Sequence, residues 1–421
     1  MNTKSFLTCL SVTFIIALGC VAGINYIIDP YGLFGTFRIN GFNALKPVAG
    51  ESVRIIKPYQ VSRIKPKTLI IGNSRPEMGL DPNHRCWPAD KRPVYSMTIP
   101  GSSVYMQIRC AQHALADHAV RMVLLVVDFL DFLIKPGVGQ DPYKWPPAAA
   151  EFEDRLLVNV LGQKNDNFFR QSLKDYLAGI FSLNALDGSI NTLIGQINPN
   201  ASNRTELGFN PARNYLDIIH HEGQYVLFKQ KNNEVVSRLL QNDWSIYHKG
   251  FLWSADMEAL RQFIQYAKIR NIKLIVFINP YHADYLNSIE QTGKWPLLEE
   301  WKRAMTRLVN EQEGVELWDF SGFNQYTVEE PPAANDTRTV MQWFWEPAHY
   351  RKELGDKMLA RMLAGEGCVQ PVEDREFGTL LSMDNIEQQL ARFRSQRDAF
   401  ITGRPEAVAR IRSVLPASKT F

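Results

Sequence analysis

The pattern of apolar and polar residues gives the chain an uncharged start, followed by a long alternation of strand and helix signals. Residues 5–28 contain no charged side chain. A helix of that length, at about 1.5 Å per residue, is long enough for the roughly 30 Å hydrocarbon core of a bilayer. The pattern therefore predicts an N-terminal membrane anchor over residues 1–28. Because Lys4 and the terminal amine precede the apolar stretch, the positive-inside rule predicts a cytoplasmic start and an exported remainder.

Two alternatives to an anchor stay open for this segment. A cleaved signal peptide has an apolar region of about 7 to 15 residues, whereas the apolar character here continues past Gly19 and Gly23. Residues 17–20, Ala-Leu-Gly-Cys, resemble a lipoprotein cleavage box with its first two positions interchanged. Cleavage and lipidation are therefore the alternatives to the favoured anchor.

After a juxtamembrane connector at residues 29–66, apolar or β-rich runs alternate with amphipathic helical patterns. The strand signals lie at residues 68–71, 121–127, 273–278 and 315–319. The helical patterns lie at residues 106–118, 257–270 and 347–363. Strands that alternate with helices are typical of an α/β fold, so we predict a three-layer sandwich with a central parallel sheet over residues 67–365.

The stretch at about 135–250 does not keep this alternation. It begins with four prolines, Pro136, Pro142, Pro146 and Pro147. Helical patterns follow near residues 151–161, 167–180 and 184–196. We predict a helical insertion between strands of the core, and insertions at strand ends commonly shape substrate clefts. Residues 366–421 are predicted to be a helical C-terminal extension docked on the domain.

Composition and charge narrow the function classes. The 421 residues carry 47 basic and 44 acidic side chains, a net charge of +3, so no broad positive surface for nucleic acid is expected. Two of the five cysteines lie in the apolar segment. The other three, Cys86, Cys110 and Cys368, allow at most one disulfide and have no metal-type spacing. We expect neither a metal nor another cofactor.

The first candidate for chemistry is Ser74, in the sequence LIIGNSRP of residues 69–76. A β-rich run ends at Gly72, and Pro76 suits the first turn of a helix. A serine at that junction lies where the helix dipole and free backbone N–H groups favour a developing negative charge. The alternative is that Ser74 only caps the helix.

The second candidate is the pair Glu346 and His349, in the sequence WEPAHY of residues 345–350. A carboxylate three residues before a histidine, on a loop that enters a helix, can hold the imidazole in one tautomer and offset the charge it gains as a general base. The alternative is structural, because an acid followed by proline is also a good start for a helix.

Together the two segments resemble a known superfamily. Gly72-Asn73-Ser74, then Gly101 in the sequence IPGSS of residues 99–103, then Glu346-x-x-His349-Tyr350 with Gly355 and Leu359 downstream, are similar to the sequence blocks of the SGNH (GDSL-like) hydrolases. The resemblance covers roughly residues 67–132 and 255–364. It implies a flavodoxin-like sheet, with Ser74 as nucleophile, His349 as base and Glu346 as acid. It also implies an oxyanion hole built from the backbone N–H groups of Ser74 and Gly101.

Two positions depart from the family pattern. The acid of the family is usually aspartate, so either Glu346 reaches farther or Ser74 and His349 work as a dyad. The third block usually supplies an asparagine to the oxyanion hole, whereas Asp128 follows the strand here, and an ionised carboxylate cannot donate. Either Asp128 is protonated, or Asn73 or Asn279 donates, or the hole has only backbone donors.

Four other groups are weaker candidates. Asn279 follows a strand end, where open α/β sheets place their clefts, so it is a candidate substrate contact. His282 and Asp284 suggest a metal pair, but no third ligand has suitable spacing. The adjacent His220 and His221 are interpreted as surface residues. The aromatic run at residues 343–345 is interpreted as core or as the wall of a cleft.

The layout of an anchor, an early serine and a late histidine is similar in plan to membrane-anchored acyl-transfer proteins of the cell envelope. The resemblance implies a single-pass protein of the inner membrane whose catalytic domain is periplasmic. We predict an esterase or O-acyltransferase that acts on an envelope glycan through an acyl-enzyme on Ser74. A multi-pass membrane protein that donates the acyl group is a further candidate partner. The alternative function is a catalytically degenerate domain that binds glycan or scaffolds an envelope complex.

Overall fold

The structure, a computed structural model, describes residues 3–116, 120–135, 150–366, 368 and 376–416. Its strands are β1 (Thr68–Gly72), β2 (Val94–Thr98), β3 (Met122–Val127), β4 (Lys273–Ile278), β5 (Glu316–Asp319), β6 (Phe344–Glu346), β7 (His349–Tyr350) and β8 (Thr379–Leu380). Within the described residues, six of them form one sheet in the order β2-β1-β3-β4-β5-β8. β1 to β5 are parallel and β8 is antiparallel to β5. The predicted α/β class is confirmed, and the central sheet, predicted to be parallel, is mostly parallel with an antiparallel edge strand.

Helices cover this sheet and extend beyond it. The first of them are α1 (Thr3–Ile28), α2 (Val53–Ile64), α3 (Ser74–Gly79), α4 (Val104–Ala116) and α5 (Ala150–Asp154). The next are α6 (Phe168–Phe181), α7 (Leu183–Gly195), α8 (Asn214–Glu222), α9 (Gln224–Leu240) and α10 (Ala255–Ile269). The last are α11 (Ala283–Gln291), α12 (Trp295–Asn310), α13 (Lys352–Met362), α14 (Ile386–Gly403) and α15 (Pro405–Arg412). The helices α5 to α9 form the predicted insertion, of which residues 136–149, including the four prolines, lie outside the described residues.

The side chains of β1 alternate between two apolar clusters, one on each face of the sheet. Leu69 and Ile71 pack with residues of α4, α10 and α12, whereas Ile70 packs with residues of α13. Every residue of β1, β2 and β3 is buried. Burial on both faces is the reason why parallel strands appear as continuous apolar runs in a sequence.

Four elements differ from the sequence prediction. The region at 347–363, predicted as one helix, is a short β6–β7 hairpin followed by α13. The predicted connector contains α2, which packs against β2 and α4. The strand β2 was not predicted. The extension after residue 366, predicted as helical, also contributes β8 to the sheet edge, and its α14 and α15 pack against α12 and α11.

The helix α1 is long and apolar enough to span a membrane, and no other helix among the described residues meets this condition. Hydrogen bonds connect the last turn of α1 to the segment that follows it. Lys46 is buried and donates from Nζ to the carbonyl oxygen of Ile28 at 2.6 Å, which satisfies a backbone acceptor at the end of the helix. Burial lowers the pKa of Lys46 to about 8. Asn43 donates to the carbonyl of Ile27 at 3.2 Å.

A disulfide joins Cys86 to Cys368, across a sequence separation of 282 residues. Cys110 is a buried free thiol, and the two cysteines of α1 are free and exposed. The limit of one disulfide among Cys86, Cys110 and Cys368 therefore holds, and the structure selects the pair.

Candidate active site

Ser74 lies at the carboxyl end of β1, on the first turn of α3. The residue that caps this helix is Asn73, whose side-chain oxygen accepts from the backbone N–H of Arg75 at 3.0 Å. Because Asn73 supplies the cap, the interpretation of Ser74 as the capping residue is wrong. In the order β2-β1-β3, the strand order reverses at β1, and this is where open α/β sheets form ligand crevices.

Ser74, His349 and Glu346 form a hydrogen-bonded chain. Ser74 Oγ lies 2.7 Å from His349 Nε2, although the two residues are 275 positions apart in the sequence. His349 Nδ1 contacts Glu346 Oε1. Because the carboxylate accepts the proton of Nδ1, the inferred tautomer leaves Nε2 free to accept the proton of the serine hydroxyl. The arrangement is that of a nucleophile, a base and an orienting acid.

Glu346 reaches the imidazole despite the extra methylene group, so the dyad alternative is not needed. Its side chain is 2% exposed, and Oε2 accepts from the backbone N–H of Ala348 at 2.7 Å. Burial alone would raise the pKa of Glu346, but the charge of His349 and the hydrogen bond from its ring outweigh burial and lower that pKa. The acid is therefore held as a carboxylate beside the base.

Two contacts hold the β6–β7 hairpin over the nucleophile. Gln224, the first residue of α9, donates to the carbonyls of Phe344 and Trp345 at 2.8 and 3.0 Å, and accepts from Met341 N–H. The second contact is between α3 and β7, which pack so closely that a Cβ on Gly79 would collide with the ring of Tyr350. The insertion thus supports the histidine-bearing hairpin.

Arg75 links four parts of the site and was not singled out by the sequence. Its Nε donates to the carbonyl of Ala348 at 2.9 Å, its Nη2 donates to Tyr285 Oη at 2.9 Å, and its Nη1 forms an ion pair with Asp128. The guanidinium also lies over the rings of Tyr281 and Tyr285, which stack at 4.8 Å. One buried cation therefore fixes the nucleophile loop, the loop after β3, the start of α11 and the histidine hairpin relative to one another.

Asp128 is an acceptor in this network. Both Arg75 and Asn279 donate to its Oδ2, the latter from Nδ2 at 3.3 Å, and Leu130 N–H lies 3.3 Å from Oδ1. With donors on both oxygens, nothing around Asp128 calls for a proton on the carboxyl group. Of the three alternatives for the oxyanion hole, the protonated Asp128 is therefore the one that the contacts disfavour.

Gly101 is one of the two backbone donors that the sequence predicts for an oxyanion hole. Gly101 has a φ of +63°, in the left-handed region that glycine adopts without strain, and its N–H has no partner among the described residues. The loop that carries Gly101 is tied to the nucleophile loop, since Ile99 N–H donates to the carbonyl of Gly72 at 2.8 Å. These features suit backbone donation from Gly101 beside Ser74.

The two asparagines are engaged by carboxylates. Asn73 Nδ2 donates to Asp131 Oδ2 at 3.0 Å, and Asn279, fully buried, donates to Asp128. Burial raises the pKa of Asp131, against the opposing charge of Arg75. Burial, with a smaller effect of Asp131, raises the pKa of Asp256 to about 7. Each of these two carboxyl groups therefore takes up a proton at a higher pH than an exposed aspartate does.

The other candidates lie in structural roles. His282 caps α11, because its Nδ1 accepts from Asp284 N–H, and its Nε2 donates to the carbonyl of Glu329. Asp284 is bound by Arg410 at 2.8 and 3.0 Å. The two residues are thus occupied, and the described residues contain no group of three metal-ligating side chains. Burial lowers the pKa of His282, which keeps the ring neutral.

The adjacent histidines and the aromatic run are also placed. His220 and His221 are exposed near the end of α8, as predicted for surface residues. Within the run at residues 343–345, Phe344 and Trp345 are buried in the core and Trp343 is partly buried. The interpretation of this run as core therefore holds for two of its three members.

A scan of protein-family models finds no match to this chain, and a search of curated proteins finds none either.

Proposed function

We propose that the chain is an SGNH-like serine esterase or O-acyltransferase of the cell envelope, which forms an acyl-enzyme on Ser74. The observation that carries the proposal is the chain of contacts from Ser74 Oγ through His349 to Glu346, with 2.7 Å between Ser74 Oγ and His349 Nε2. A nucleophile within hydrogen-bond reach of a base, which is itself oriented by a buried acid, is the arrangement that activates a serine hydroxyl.

The reaction follows from these positions. His349 Nε2 takes the hydroxyl proton as Ser74 Oγ attacks the ester carbonyl carbon, and the backbone N–H groups of Ser74 and Gly101 stabilise the oxyanion. The carbon–oxygen bond to the leaving alcohol then breaks, and His349 returns the proton to that alcohol. Water or a sugar hydroxyl attacks the acyl-enzyme in the second half, and His349 again takes and returns one proton. Hydrolysis and transfer differ only in this last acceptor.

The ion pair between Asp128 and Arg75 is expected to lower the rate of acylation, because Asp128 cannot act as a hydrogen-bond donor. With a carboxylate in the third block, the oxyanion hole lacks the side-chain donor of the resembled family, and one such donor is worth about 2.7 to 4 kcal/mol in the transition state. We expect slow turnover with simple esters. A specific acyl donor or acyl acceptor that forms its own hydrogen bonds with the protein would offset part of this loss in the transition state.

The proposal also includes the cellular location of the protein. α1 is the anchor of a single-pass protein with a cytoplasmic N-terminus in the inner membrane, and the catalytic domain is periplasmic. Two contacts of the last turn of α1 support retention of the helix over cleavage, since Asn25 is fully buried and Lys46 binds the carbonyl of Ile28. The disulfide between Cys86 and Cys368 is typical of an oxidising compartment such as the periplasm. The proposed partners are an envelope polysaccharide and a multi-pass membrane protein that donates the acyl group.

The proposal is tested with the full-length chain purified in nanodiscs. We expect release of acetate from p-nitrophenyl acetate, and faster release or transfer with an O-acetylated envelope polysaccharide; both activities should be absent in Ser74→Ala. Ser103→Ala, which removes a hydroxyl from the neighbouring loop, is the matched control and should retain them. A folded wild-type chain that binds the polysaccharide without turning over either ester would instead support the degenerate glycan-binding function.

Glu346→Gln is expected to lower the acylation rate of Ser74 on the order of 10⁴-fold, a smaller loss than that expected for His349→Ala. A glutamine amide can donate to His349 Nδ1, and this contact favours the tautomer whose Nε2 carries the proton and cannot act as base. Stopped-flow measurement of nitrophenol release gives the rate, and Glu353→Gln, an exposed glutamate nearby, is the control. A loss in Glu346→Gln that equals or exceeds the loss in His349→Ala would contradict this ordering.

A further inference from the structure

The helices α6 and α7 of the insertion are amphipathic in the opposite sense to a surface helix of a water-soluble domain. The exposed apolar residues of α6 recur at every fourth position: Phe169, Leu173, Leu177 and Phe181. The buried residues of the same helix are polar or small: Gln171, Asp175 and Gly179. A spacing of four places the exposed residues along one face, and surface helices normally turn such a face towards the core.

The same inversion is present on α7. Its exposed apolar residues are Leu183, Ile190, Leu193 and Ile194, and Ile197 follows directly after the helix. Its buried residues are Ala185, Gly188, Ser189 and Thr192. Two neighbouring helices therefore present large aliphatic and aromatic side chains to the outside. Contiguous apolar surface of this kind marks a protein or membrane interaction site.

We call α6 and α7 together the α6–α7 hairpin. Its buried residues are small or polar and pack against the end of α1 and the segment that follows it, beside the half-buried rings of Phe168 and Tyr176 on α6. Asn25 of α1, fully buried, donates to the carbonyls of Ile180 and Ser182 at 2.8 and 3.3 Å, and accepts from Ser189 Oγ at 2.9 Å. A Cβ on Gly179 would lie 2.9 Å from Leu33 Cδ2. Small residues and interhelical hydrogen bonds of side-chain amides and hydroxyls are the packing devices of helices in membranes.

The position of these contacts along α1 indicates the depth at which the α6–α7 hairpin lies relative to the bilayer that α1 would span. α1 has 26 residues, about 39 Å of helix, which exceeds the roughly 30 Å of a hydrocarbon core. Its residues are exposed from residue 3 to residue 17, and partly or fully buried positions begin at Leu18 and continue to Ile28. The α6–α7 hairpin therefore lies beside the last three turns of α1, where a spanning helix enters the headgroup region.

Basic residues on α6 and an exposed aromatic residue after α1 are consistent with a position of the α6–α7 hairpin at the headgroup region. Arg170 and Lys174 lie on α6 beside the apolar stripe and are exposed, as expected for basic residues that meet lipid phosphates. Phe37, in the segment after α1, is 84% exposed, and its carbonyl accepts from Asn43, which also binds the carbonyl of Ile27 in α1. A further exposed apolar side chain thus lies in the segment that is hydrogen-bonded to the end of α1.

We propose that the α6–α7 hairpin inserts its apolar face into the boundary between headgroups and acyl chains of the bilayer that α1 spans, with lipid as its occupant. The continuity of this face with the end of α1 argues for lipid over a separate protein partner. The inference rests on α1 crossing the membrane and does not depend on chemistry at Ser74. Attachment at α1 and at the hairpin, both packed on the same domain, would hold that domain in one orientation on the membrane.

Spin labels on the full-length chain in nanodiscs test the proposal. Single cysteines replace exposed residues of the hairpin, Leu173→Cys, Leu177→Cys, Ile190→Cys and Ile194→Cys, in a background with Cys9→Ser and Cys20→Ser. Ile269→Cys, whose native side chain is 82% exposed at the end of α10, is the matched apolar control. We expect a ratio of oxygen to water-soluble nickel accessibility several-fold higher on the hairpin than at Ile269. Nickel accessibility on the hairpin equal to that at Ile269, or exclusion of both reagents by a protein contact, would overturn the proposal.

A second readout uses the unsubstituted chain, so that it does not depend on the folding of variants. Nanodiscs that contain a lipid with a photoactivatable group on its acyl chain are irradiated, and the cross-linked peptides are identified by mass spectrometry. We expect cross-links in α1 and in residues 168–197, and none in residues 255–269. Cross-links confined to α1 would show that lipid does not cover the hairpin.

Discussion

His349→Ala is expected to slow acylation of Ser74 on the order of 10⁶-fold, the size of loss that follows removal of the base from a serine triad. The hydroxyl of Ser74 loses the acceptor that lies 2.7 Å away, and Glu346 is left with no ring to orient. Single-turnover release of nitrophenol from an activated ester measures the effect. A retained melting temperature would show that the loss is chemical.

The control for this substitution is His221→Ala, at an exposed histidine whose ring contacts only the carbonyl of Asp217 among the described residues. We expect its activity to equal that of the wild type. If His349→Ala retained more than a small fraction of the wild-type rate, the base would have to be another group, and the assignment of His349 would be wrong.

Arg75→Met is expected to lower the free energy of unfolding by about 3 to 5 kcal/mol, because it leaves Asp128 as an uncompensated buried charge. Asp128 is 1% exposed, and Arg75 is its ion-pair partner. Denaturant titration of the full-length chain in detergent measures the change. Arg303→Met, which breaks a largely exposed pair with Glu387, is the matched control and should cost no more than about 1 kcal/mol.

The double variant Arg75→Met/Asp128→Leu separates the cost of the orphaned charge from loss of packing. Replacement of both members of a buried ion pair by apolar residues is often close to neutral, so we expect the double variant to regain most of the lost stability. We expect Arg75→Met to be less active than the wild type, because Ala348 in the histidine hairpin lacks its contact with Arg75. The double variant lacks the same contact, so its activity should stay equally low. A single Arg75→Met variant as stable as Arg303→Met would contradict the central position given to this residue.

Of the strands found from the sequence, β3 and β4 show the strongest signal. β3 and β4 have continuous runs of apolar residues, so their burial on both faces is visible in the sequence. β2 was missed because it contains Ser96 and Thr98, which are buried with a hydrogen bond of 2.8 Å between their hydroxyls. Buried hydroxyl groups need hydrogen-bond partners, and the fold determines which partners they find. The local sequence therefore does not show that such residues are buried.

The helix α2 was missed for a similar reason. It contains Pro58 and the fully buried Lys57, which pairs with Glu77 at 2.9 Å and donates to the carbonyls of Thr98 and Gly208. A lysine and a proline on the inner face do not produce the apolar stripe that identifies a helix. The start of α13 was misplaced because Glu346-Pro347 is a common helix start, whereas here the acid is turned towards His349.

In the candidate site, too, the sequence identified some residues and missed others. Ser74, Glu346 and His349 were found because each lies in a short segment whose spacing has a chemical meaning. Arg75 gave no such signal, since its partners Asp128, Tyr285 and Ala348 are 53, 210 and 273 positions away. Gln224, which holds the histidine hairpin from the insertion, is likewise 120 positions from the carbonyl that it binds. Local motifs identify the groups that we propose react, while the residues that position them become visible only in the fold.

The central claim is that Ser74 is a nucleophile activated by His349, and a fluorophosphonate probe tests it most directly. The full-length chain is incubated with the probe at neutral pH, and the modified residue is identified by mass spectrometry. We expect one covalent adduct, on Ser74, that is absent in Ser74→Ala and retained in Ser103→Ala. A folded wild-type chain that remains unlabelled, or labelling that persists in Ser74→Ala, would contradict it.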